Sequence, residues 1–517
     1  MIELTRDRFD GVDNALSARP SASTPFVRTA ALLTGLLAIG VPAVAAAFDL
    51  PTAAVVVGAG LCYLVAVVAT GRAFEGFASA VVVLAVFDIG ATLVTGPGIA
   101  TLDLVAVDLV AIPLAVFLVA DAVEDGASVG LNAGWLAAAC LAGFVCWTVA
   151  AGAVANGGSE TAGLMYGVEQ LRYLVVFGVA ALVARRTDVW CVVTPFVVAV
   201  AGNLVVSLAQ VVNGGMLGFP FLGEPPDRYL GAFAFGPYEV ATGFYAGGFV
   251  GHGRELTMLL LMVIPLAVAV AARRSWPALL AVGVGIVGAV LSIRVADTDA
   301  GWATLLLLGA CFGLYLLGTL AVRTKRRYST LAALPVVGAL VVGLLALARV
   351  VQWIVTSADG GAQVFRTSSL DIRLEEYAAA IRLAGQYPWF GIGGGNFYIR
   401  SERYIGEADI GVHNTVLANL AATGYVGFGL YVLAVVAVLW VALRLAVANG
   451  GADRLLWAAV LAATCAFCAY SSWMSSYSWV VGNTGFWLLA GATVGATAGG
   501  YGTTKREISQ PSGQLGS

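Results

Sequence analysis

Long apolar segments, separated by short polar breaks, repeat along most of the chain. A helix needs about 20 mostly apolar residues to cross a bilayer, and about fourteen segments reach that length. They cover residues 27–48, 52–70, 75–94, 101–121, 132–154, 165–184, 189–212, 255–272, 276–293, 301–322, 330–352, 421–446, 455–473 and 479–499. The pattern predicts an all-α polytopic membrane protein with about 12–14 transmembrane helices.

The amino-acid composition also indicates a membrane protein. The 517 residues are 60% hydrophobic and 11% charged, with a mean hydropathy of +0.90. Soluble domains are about 25% charged, so the deficit indicates lipid around the chain. A net charge of −3 is too small to indicate nucleic-acid binding. All seven cysteines lie in or at the ends of apolar segments, so we expect small buried side chains and no metal site.

The basic residues indicate an orientation in the membrane, because cytoplasmic loops are enriched in lysine and arginine. With the N-terminus inside, every inner loop is basic except the one at 121–125, which is acidic. The inner loops hold Arg72, Arg185, Arg186, Arg273, Arg274, Arg323, Lys325, Arg326, Arg327, Arg444, Arg454, Lys505 and Arg506. We therefore expect an integral plasma-membrane protein with both termini in the cytoplasm.

This topology divides the chain into tails, membrane regions and a large loop. Residues 1–26 form a cytoplasmic N-terminal tail, and residues 27–355 form a transmembrane region with an outer loop at 213–255. Residues 356–414 form a large extracytoplasmic loop that contains an amphipathic helix. Residues 415–500 form the C-terminal transmembrane helices, and residues 501–517 form a cytoplasmic tail.

The outer connections carry more arginine than membrane topology explains. They hold Arg228, Arg254, Arg294, Arg366, Arg373, Arg382, Arg400 and Arg403. The positive-inside rule normally depletes this side of basic residues. Guanidinium groups beside a membrane can hold a phosphate or pyrophosphate through bidentate hydrogen bonds, so these residues indicate a polyanionic ligand.

The large loop contains a helix-like segment at 370–386. On a helix, Arg373 shares a face with Tyr377 and Ala380, whereas Leu374, Ile381, Leu383 and Ala384 are expected to be more buried. Arg382 lies about half a rotation from Arg373, at 100° per residue, so the two guanidinium groups should point in opposite directions. The glycines at 391–395 predict a tight turn below the helix.

The histidines and two membrane aspartates are the remaining candidates for chemistry. His413, with Asn414 beside it, lies at the outer boundary, where it is either a general base or a residue that packs the loop. His252 allows the same two interpretations and favours packing. Asp88 and Asp108 fall in the outer halves of two predicted spans; they either line an outward-facing cavity or satisfy polar groups between helices.

Several of these residues together resemble a known family. His413 and Asn414 are followed after nine residues by GYVG at 424–427, which resembles the His-Asn…Gly-x-x-Gly signature of the O-antigen ligase and polymerase superfamily. RLEEY at 373–377, Ala380 and PWFGIGGGNF at 388–397 are also similar. The order of many spans with a large outer loop before the last helices matches as well. A weaker resemblance covers residues 248–267.

The resemblance implies a GT-C-like fold and a metal-independent, inverting glycosyltransferase without a cofactor. The donor would be a glycan linked to a polyprenyl-pyrophosphate carrier, and the acceptor a hydroxyl group of a glycan, glycolipid or protein. His413 would be the acceptor-activating base and Arg373 a pyrophosphate ligand, with Asn414, Tyr377 and Arg382 in support. The family's second arginine has no counterpart at the aligned position, where the chain is acidic; Arg294 or Arg254 could replace it.

Two other classes of function fit the same spans. A flippase for polysaccharide or lipid-linked oligosaccharide, or another transporter, would concentrate its cationic residues in a central cavity. A structural or scaffolding membrane protein would need no such cluster. A transferase would lie in membrane lipid as well, but it requires His413 and Arg373 to lie close together at the outer boundary of the membrane.

Overall fold

The structure is a computed structural model that describes much of the predicted membrane region and most of the large loop. The described residues are 73–95, 101–124, 133–156, 158–213, 215–219, 222–224, 233–235, 238–240, 246–273, 285–289, 304, 367–406, 410–449, 451–474 and 480–498. The predicted spans 27–48, 52–70 and 330–352 lie outside these residues, whereas 276–293 and 301–322 are described only at 285–289 and 304.

The described chain is mostly helical, with two short hairpins. In order, its elements are α1 (Ala73–Leu84), β1 (Gly90–Thr95), β2 (Thr101–Val105), α2 (Ala106–Glu124), α3 (Ala133–Val154), α4 (Glu160–Arg186), α5 (Trp190–Asn213), β3 (Phe233–Phe235), β4 (Tyr238–Val240), α6 (Gly253–Ala272), α7 (Thr367–Gln386), α8 (Asn396–Ile399), α9 (Ser401–Ile405), α10 (Thr415–Ala448), α11 (Gly451–Ser471) and α12 (Val480–Ala498).

Six described helices are long and apolar enough to cross a membrane, namely α3, α4, α5, α6, α10 and α11. Each coincides with a span that the hydrophobic pattern predicts, and α12 occupies the predicted span at 479–499. Helices of 19 to 34 residues satisfy their own backbone hydrogen bonds, which lipid cannot do. The expected all-α polytopic membrane protein is therefore confirmed.

The predicted span at 75–94 is wrong in its second half. Helix α1 ends at Leu84, and strand β1 then pairs antiparallel with β2, with Gly90 opposite Val105 and Thr95 opposite Thr101. β1 contains the β-branched residues Thr92, Val94 and Thr95, which favour strands. The predicted span at 101–121 likewise begins as strand β2 and becomes helical at Ala106. An apolar segment of span length does not by itself distinguish one membrane helix from a helix joined to a strand.

Close backbone contact holds the membrane helices together. Helix α12 packs along α4, where a Cβ added at Gly491 would lie 2.1 Å from the Phe177 carbonyl oxygen. One turn later, a Cβ at Gly495 would lie 1.9 Å from the Ala181 carbonyl oxygen. Glycines spaced by four residues let two membrane helices approach along their backbones, and such approach drives association within lipid.

A second, smaller core lies between the large loop and the start of α10. Ala379, Ala380 and Leu383 of α7 pack with Ile392, Phe397, Val412 and Ala421. This core is separate from the large apolar core of the helix bundle. Because α7 contacts α10 through it, the core fixes the loop helix beside residues 410–414.

Helix α10 is broken at Gly424, and the loop fills the break. Gly424 has φ 66° and ψ −171°, a backbone conformation that is largely restricted to glycine. The amide of Tyr425 donates to the Pro388 carbonyl, whereas the amides of Ile392 and Gly393 donate to the Ala421 and Ala422 carbonyls. These bonds of 2.8–2.9 Å replace the helical ones that the break removes, and they confirm the predicted tight turn.

The substitution Gly424→Ala tests this docking. We expect a loss of about 2–4 kcal/mol in unfolding free energy, because a Cβ is strained at this φ and would lie 2.6 Å from the Pro388 carbonyl oxygen. Thermal unfolding of the purified protein in detergent measures the loss. Gly429→Ala in the same helix is the control: a Cβ there meets nothing within 4 Å and should leave stability unchanged or raise it. Equal effects of the two substitutions would contradict the interpretation.

Candidate active site

Helix α7 presents a different face to the protein than its apolar residues suggest. Leu383 and Ala384 are buried as predicted, but Leu374 and Ile381 are 56% and 52% exposed, so their predicted burial is wrong. The buried side of the helix instead contains Glu376, which is 0% exposed. In a membrane protein an apolar side chain can face lipid as well as protein, so residue type alone does not identify the packed face.

Glu376 holds His413 at two points. The His413 ring nitrogen Nδ1 lies 2.9 and 3.0 Å from the two Glu376 carboxylate oxygens. The backbone amide of His413 donates to Glu376 Oε2 at 2.7 Å. A carboxylate accepts from Nδ1–H, and this fixes the neutral ring as the tautomer whose lone pair is on Nε2. The His413 side chain is 29% exposed, so the imidazole is accessible while its orientation is fixed.

Tyr377 binds the same residue from the next position of α7. Its hydroxyl donates to the His413 carbonyl oxygen at 2.9 Å. Burial raises the pKa of Tyr377; the nearby Glu376 carboxylate adds to the rise, and the Arg373 guanidinium opposes it. The phenol therefore stays protonated and remains a donor at neutral pH.

Arg373 lies one helical turn before these contacts. It precedes Glu376 by three residues and Tyr377 by four, spacings that place side chains on one face of a helix. Arg373 is partly exposed, and no hydrogen bond or ion pair joins it to a described residue. The structure thus brings a partly exposed guanidinium and an accessible imidazole to the same side of α7.

Asn414 positions His413 through the start of α10. Its side-chain oxygen accepts from the Leu417 amide at 3.0 Å, so Asn414 is the N-cap of the helix. Its side-chain nitrogen donates to the Ser472 carbonyl at the end of α11. The next residue, Thr415, donates to the Met474 carbonyl. Both contacts tie the His413 backbone to α11.

Arg254 lies at the same end of the bundle. The Tyr470 hydroxyl of α11 donates to its carbonyl at 3.1 Å, two residues before the Ser472 that binds Asn414. Arg294, the other predicted pyrophosphate ligand, lies outside the described residues.

His252 caps α6. Its Nδ1 accepts from the Arg254 amide at 3.0 Å. Burial and the adjacent Arg254 guanidinium lower the pKa of His252 to about 4. The imidazole is therefore neutral at pH 7, as acceptance of the amide hydrogen requires.

Asp88 and Asp108 were predicted in the outer halves of two consecutive spans, but the structure places one outside any helix and the other at the start of a helix. Asp88 follows α1 outside any helix, and its amide donates to the Phe249 carbonyl at 2.8 Å. Asp108 lies in the first turn of α2, where its carboxylate accepts from Arg172 at 2.9 Å and from the Val105 amide at 3.1 Å. Asp108 was expected either to line a cavity or to satisfy polar groups between helices. It does the second, because its carboxylate binds a buried guanidinium and a backbone amide.

Arg382 lies on the opposite side of α7, as the 100° periodicity predicts. Its guanidinium is exposed and donates to the Tyr404 carbonyl oxygen at 3.2 Å. Arg382 therefore contacts α9. Among the described residues, its hydrogen bond is to Tyr404 and not to His413, Glu376 or Tyr377.

Glu376 is the site residue that sequence reasoning missed. In the sequence, adjacent Glu375 and Glu376 in a charged helix are typical of a solvated surface. The available signal was spacing: Glu376 is three residues from Arg373 and four from Ala380, on the face that the small residues Ala379 and Ala380 also mark.

The substitution Asn414→Ala should cost about 1–2 kcal/mol in unfolding free energy, because it removes the helix cap and the donor to Ser472. Asn414→Ser keeps a cap of similar strength and should recover about half of that loss. Thermal unfolding in detergent compares the two variants with the unaltered protein. If serine recovered nothing, the cap would not be the source of the stabilisation.

A family model described as O-antigen ligase matches residues 297–432. The match contains α7, α8, α9, His413 and the part of α10 that includes Gly424. A comparison with curated proteins found no match to this chain. The family match supports a function of the O-antigen ligase or polymerase type in the assembly of cell-surface glycans. Residues 297–432 therefore confirm the resemblance to the O-antigen ligase and polymerase superfamily that His413, Asn414 and GYVG indicated.

Proposed function

We propose that the protein transfers a glycan from a polyprenyl-pyrophosphate carrier to a hydroxyl acceptor on the extracytoplasmic face of the membrane. The observation that carries the proposal is the contact between the buried Glu376 carboxylate and His413 Nδ1. It leaves Nε2 as the basic nitrogen on a partly exposed ring, with Arg373 one turn away on α7. The family match independently implies a lipid-linked glycan donor.

His413 acts as the general base. Nε2 accepts the proton of the acceptor hydroxyl as its oxygen attacks the anomeric carbon of the donor sugar. The imidazolium that forms is stabilised by the Glu376 carboxylate on Nδ1, as an acidic partner stabilises the histidine of other general-base systems. Positioned proton transfer of this kind contributes about 10²- to 10⁴-fold to rate.

Arg373 binds the leaving group. Cleavage of the sugar–phosphate bond develops negative charge on the pyrophosphate, and a fixed guanidinium stabilises that charge in a water-poor site. Arg254, at the same end of the bundle, is the second proposed ligand among the described residues, and Arg294 is the other predicted one. Guanidinium groups balance the charge without a metal. Attack from the face opposite the leaving group inverts the anomeric carbon.

Charge distribution supports the extracytoplasmic placement. The site lies where α4, α6, α10 and α12 begin and where α3 and α11 end, whereas Arg185, Arg186, Arg273, Arg444 and Arg454 lie at the opposite end. Basic residues concentrate on the cytoplasmic side of membrane proteins. The His413 end is therefore the outer end in our proposal.

The described residues support a flippase less well than a transferase. Such a transporter needs cationic side chains in a central cavity, but Arg172 is the buried arginine of the described bundle, and Asp108 neutralises it. The partly exposed Arg373 and His413 instead lie together on the loop side of α10. This arrangement favours chemistry at the outer boundary over transport through the bundle.

His413→Ala should abolish transfer, with a loss of about 10²- to 10⁴-fold or more in rate. The measurement is transfer of lipid-linked glycan by the purified protein in detergent or vesicles, at matched unfolding temperature. His252→Asn is the matched control, because asparagine keeps the helix cap and removes the other histidine. Unchanged transfer by the folded His413→Ala variant would overturn the proposed function.

Glu376→Gln should lower the transfer rate on the order of 10²-fold or more, because glutamine neither fixes the productive tautomer nor stabilises the imidazolium. Glu375→Gln changes the same charge on an exposed neighbour and should leave the transfer rate unchanged. An unchanged transfer rate in a folded Glu376→Gln variant would contradict the proposed role of Glu376.

A further inference from the structure

A cavity of about 260 Å³ lies on the far side of α7 from Arg373. It is bounded by α7, by α9 and by the connection between α3 and α4. Its lining residues are Asn156, Ala379, Arg382, Leu383, Gln386, Tyr387, Arg403 and Tyr404. The proposed chemistry at His413 uses none of the polar groups in this cavity.

The lining is cationic. Arg382 and Arg403 are both exposed side chains that face one cavity, and none of its lining residues is acidic. Neither guanidinium forms an ion pair with a described carboxylate. Two like charges held beside one cavity repel each other, and a bound anion relieves that repulsion. Arginine forks bind carboxylates and phosphates through paired hydrogen bonds.

The remaining polar groups suit a hydroxyl-rich ligand. Burial raises the pKa of Tyr404, although Arg400 and Arg403 oppose the rise, so the phenol stays protonated and can donate. Asn156 donates its amide hydrogen to the Gly391 carbonyl at 2.9 Å, which fixes its oxygen as an acceptor. Tyr404 also packs against Phe397 at 5.5 Å between ring centroids, so its position is defined by the small loop core.

Arg382 is held at the cavity rather than free to swing away. One of its terminal nitrogens donates to the Tyr404 carbonyl at 3.2 Å, which leaves the other guanidinium hydrogens for a ligand. Arg382 lies nine positions after Arg373, which corresponds to about 13.5 Å along the helix axis. Only a glycan of several sugars would reach both His413 and this cavity, because the two lie on different sides of α7.

We propose that this cavity is a subsite for an anionic group, a carboxylate or a phosphate, carried by the glycan at a distance from the reacting sugar. The inference rests on the proposed function and adds a preference for acidic glycans. Arg382 and Arg403 bind the anion, and Tyr404 and Asn156 bind hydroxyl groups beside it.

Binding to the full-length protein in detergent tests the subsite directly. The probe is tetragalacturonic acid, and its neutral methyl ester is the reference, with both affinities measured by isothermal titration calorimetry. We expect the acid to bind more tightly than the ester. Arg382→Ala and Arg403→Ala should each lower the affinity for the acid about tenfold. Arg403→Lys, which keeps the positive charge, should lower the affinity for the acid less than Arg403→Ala does. Arg444→Ala, an exposed arginine at the other end of α10, should have no effect.

Equal affinity for acid and ester, or unchanged affinity in both alanine variants, would overturn the subsite. The test is separate from the proposed function, because His413→Ala should still bind the acid while it loses transfer. In the transfer assay, a raised KM for the donor in Arg403→Ala assigns the anionic group to the donor glycan, and a raised KM for the acceptor assigns it to the acceptor. If neither KM changed with an acidic substrate, the subsite would not serve the reaction.

Discussion

The site depends on the exchange of backbone hydrogen bonds between the break in α10 and the turn after α7. At Gly424 the helix loses its own bonds, and the Pro388, Ile392 and Gly393 backbone groups replace them. Trp147 of α3 donates to both the Trp389 and Thr423 carbonyls, so the turn is also tied to the membrane bundle. A mobile loop would pay conformational entropy each time it assembled the site. Docking at the break holds α7 in place in advance.

This docking explains how a buried carboxylate can orient an accessible imidazole. Glu376 is completely buried, and it is satisfied by the ring and amide of His413. An unpaired carboxylate at that position would be costly, so the contact both stabilises the loop and fixes the imidazole. The residues of α7 then lie on different sides of the helix: Glu376 and Ala380 face the protein, Arg373 lies one turn before Tyr377, and Arg382 lines the cationic cavity.

Helix length and the glycine-rich turn could be predicted because each has a local cause. A span must match the bilayer, and the turn at 391–395 needs backbone conformations that glycine adopts. The hairpin at 90–105 could not be separated from two spans, because both patterns are apolar. The burial of Leu374 was predicted wrongly for a related reason, since lipid and protein interiors select the same side chains. Glu376 was missed because its partner is 37 residues away and pairs with it only after folding.

The central claim is that Arg373 and His413 act on one substrate. A cryo-electron-microscopy structure with a polyprenyl-pyrophosphate-linked sugar bound tests it most directly. The account predicts pyrophosphate oxygens about 3 Å from the Arg373 guanidinium and the anomeric carbon on the side of His413 Nε2. A pyrophosphate bound within the helix bundle, with Arg373 and His413 both facing away from it, would contradict the account.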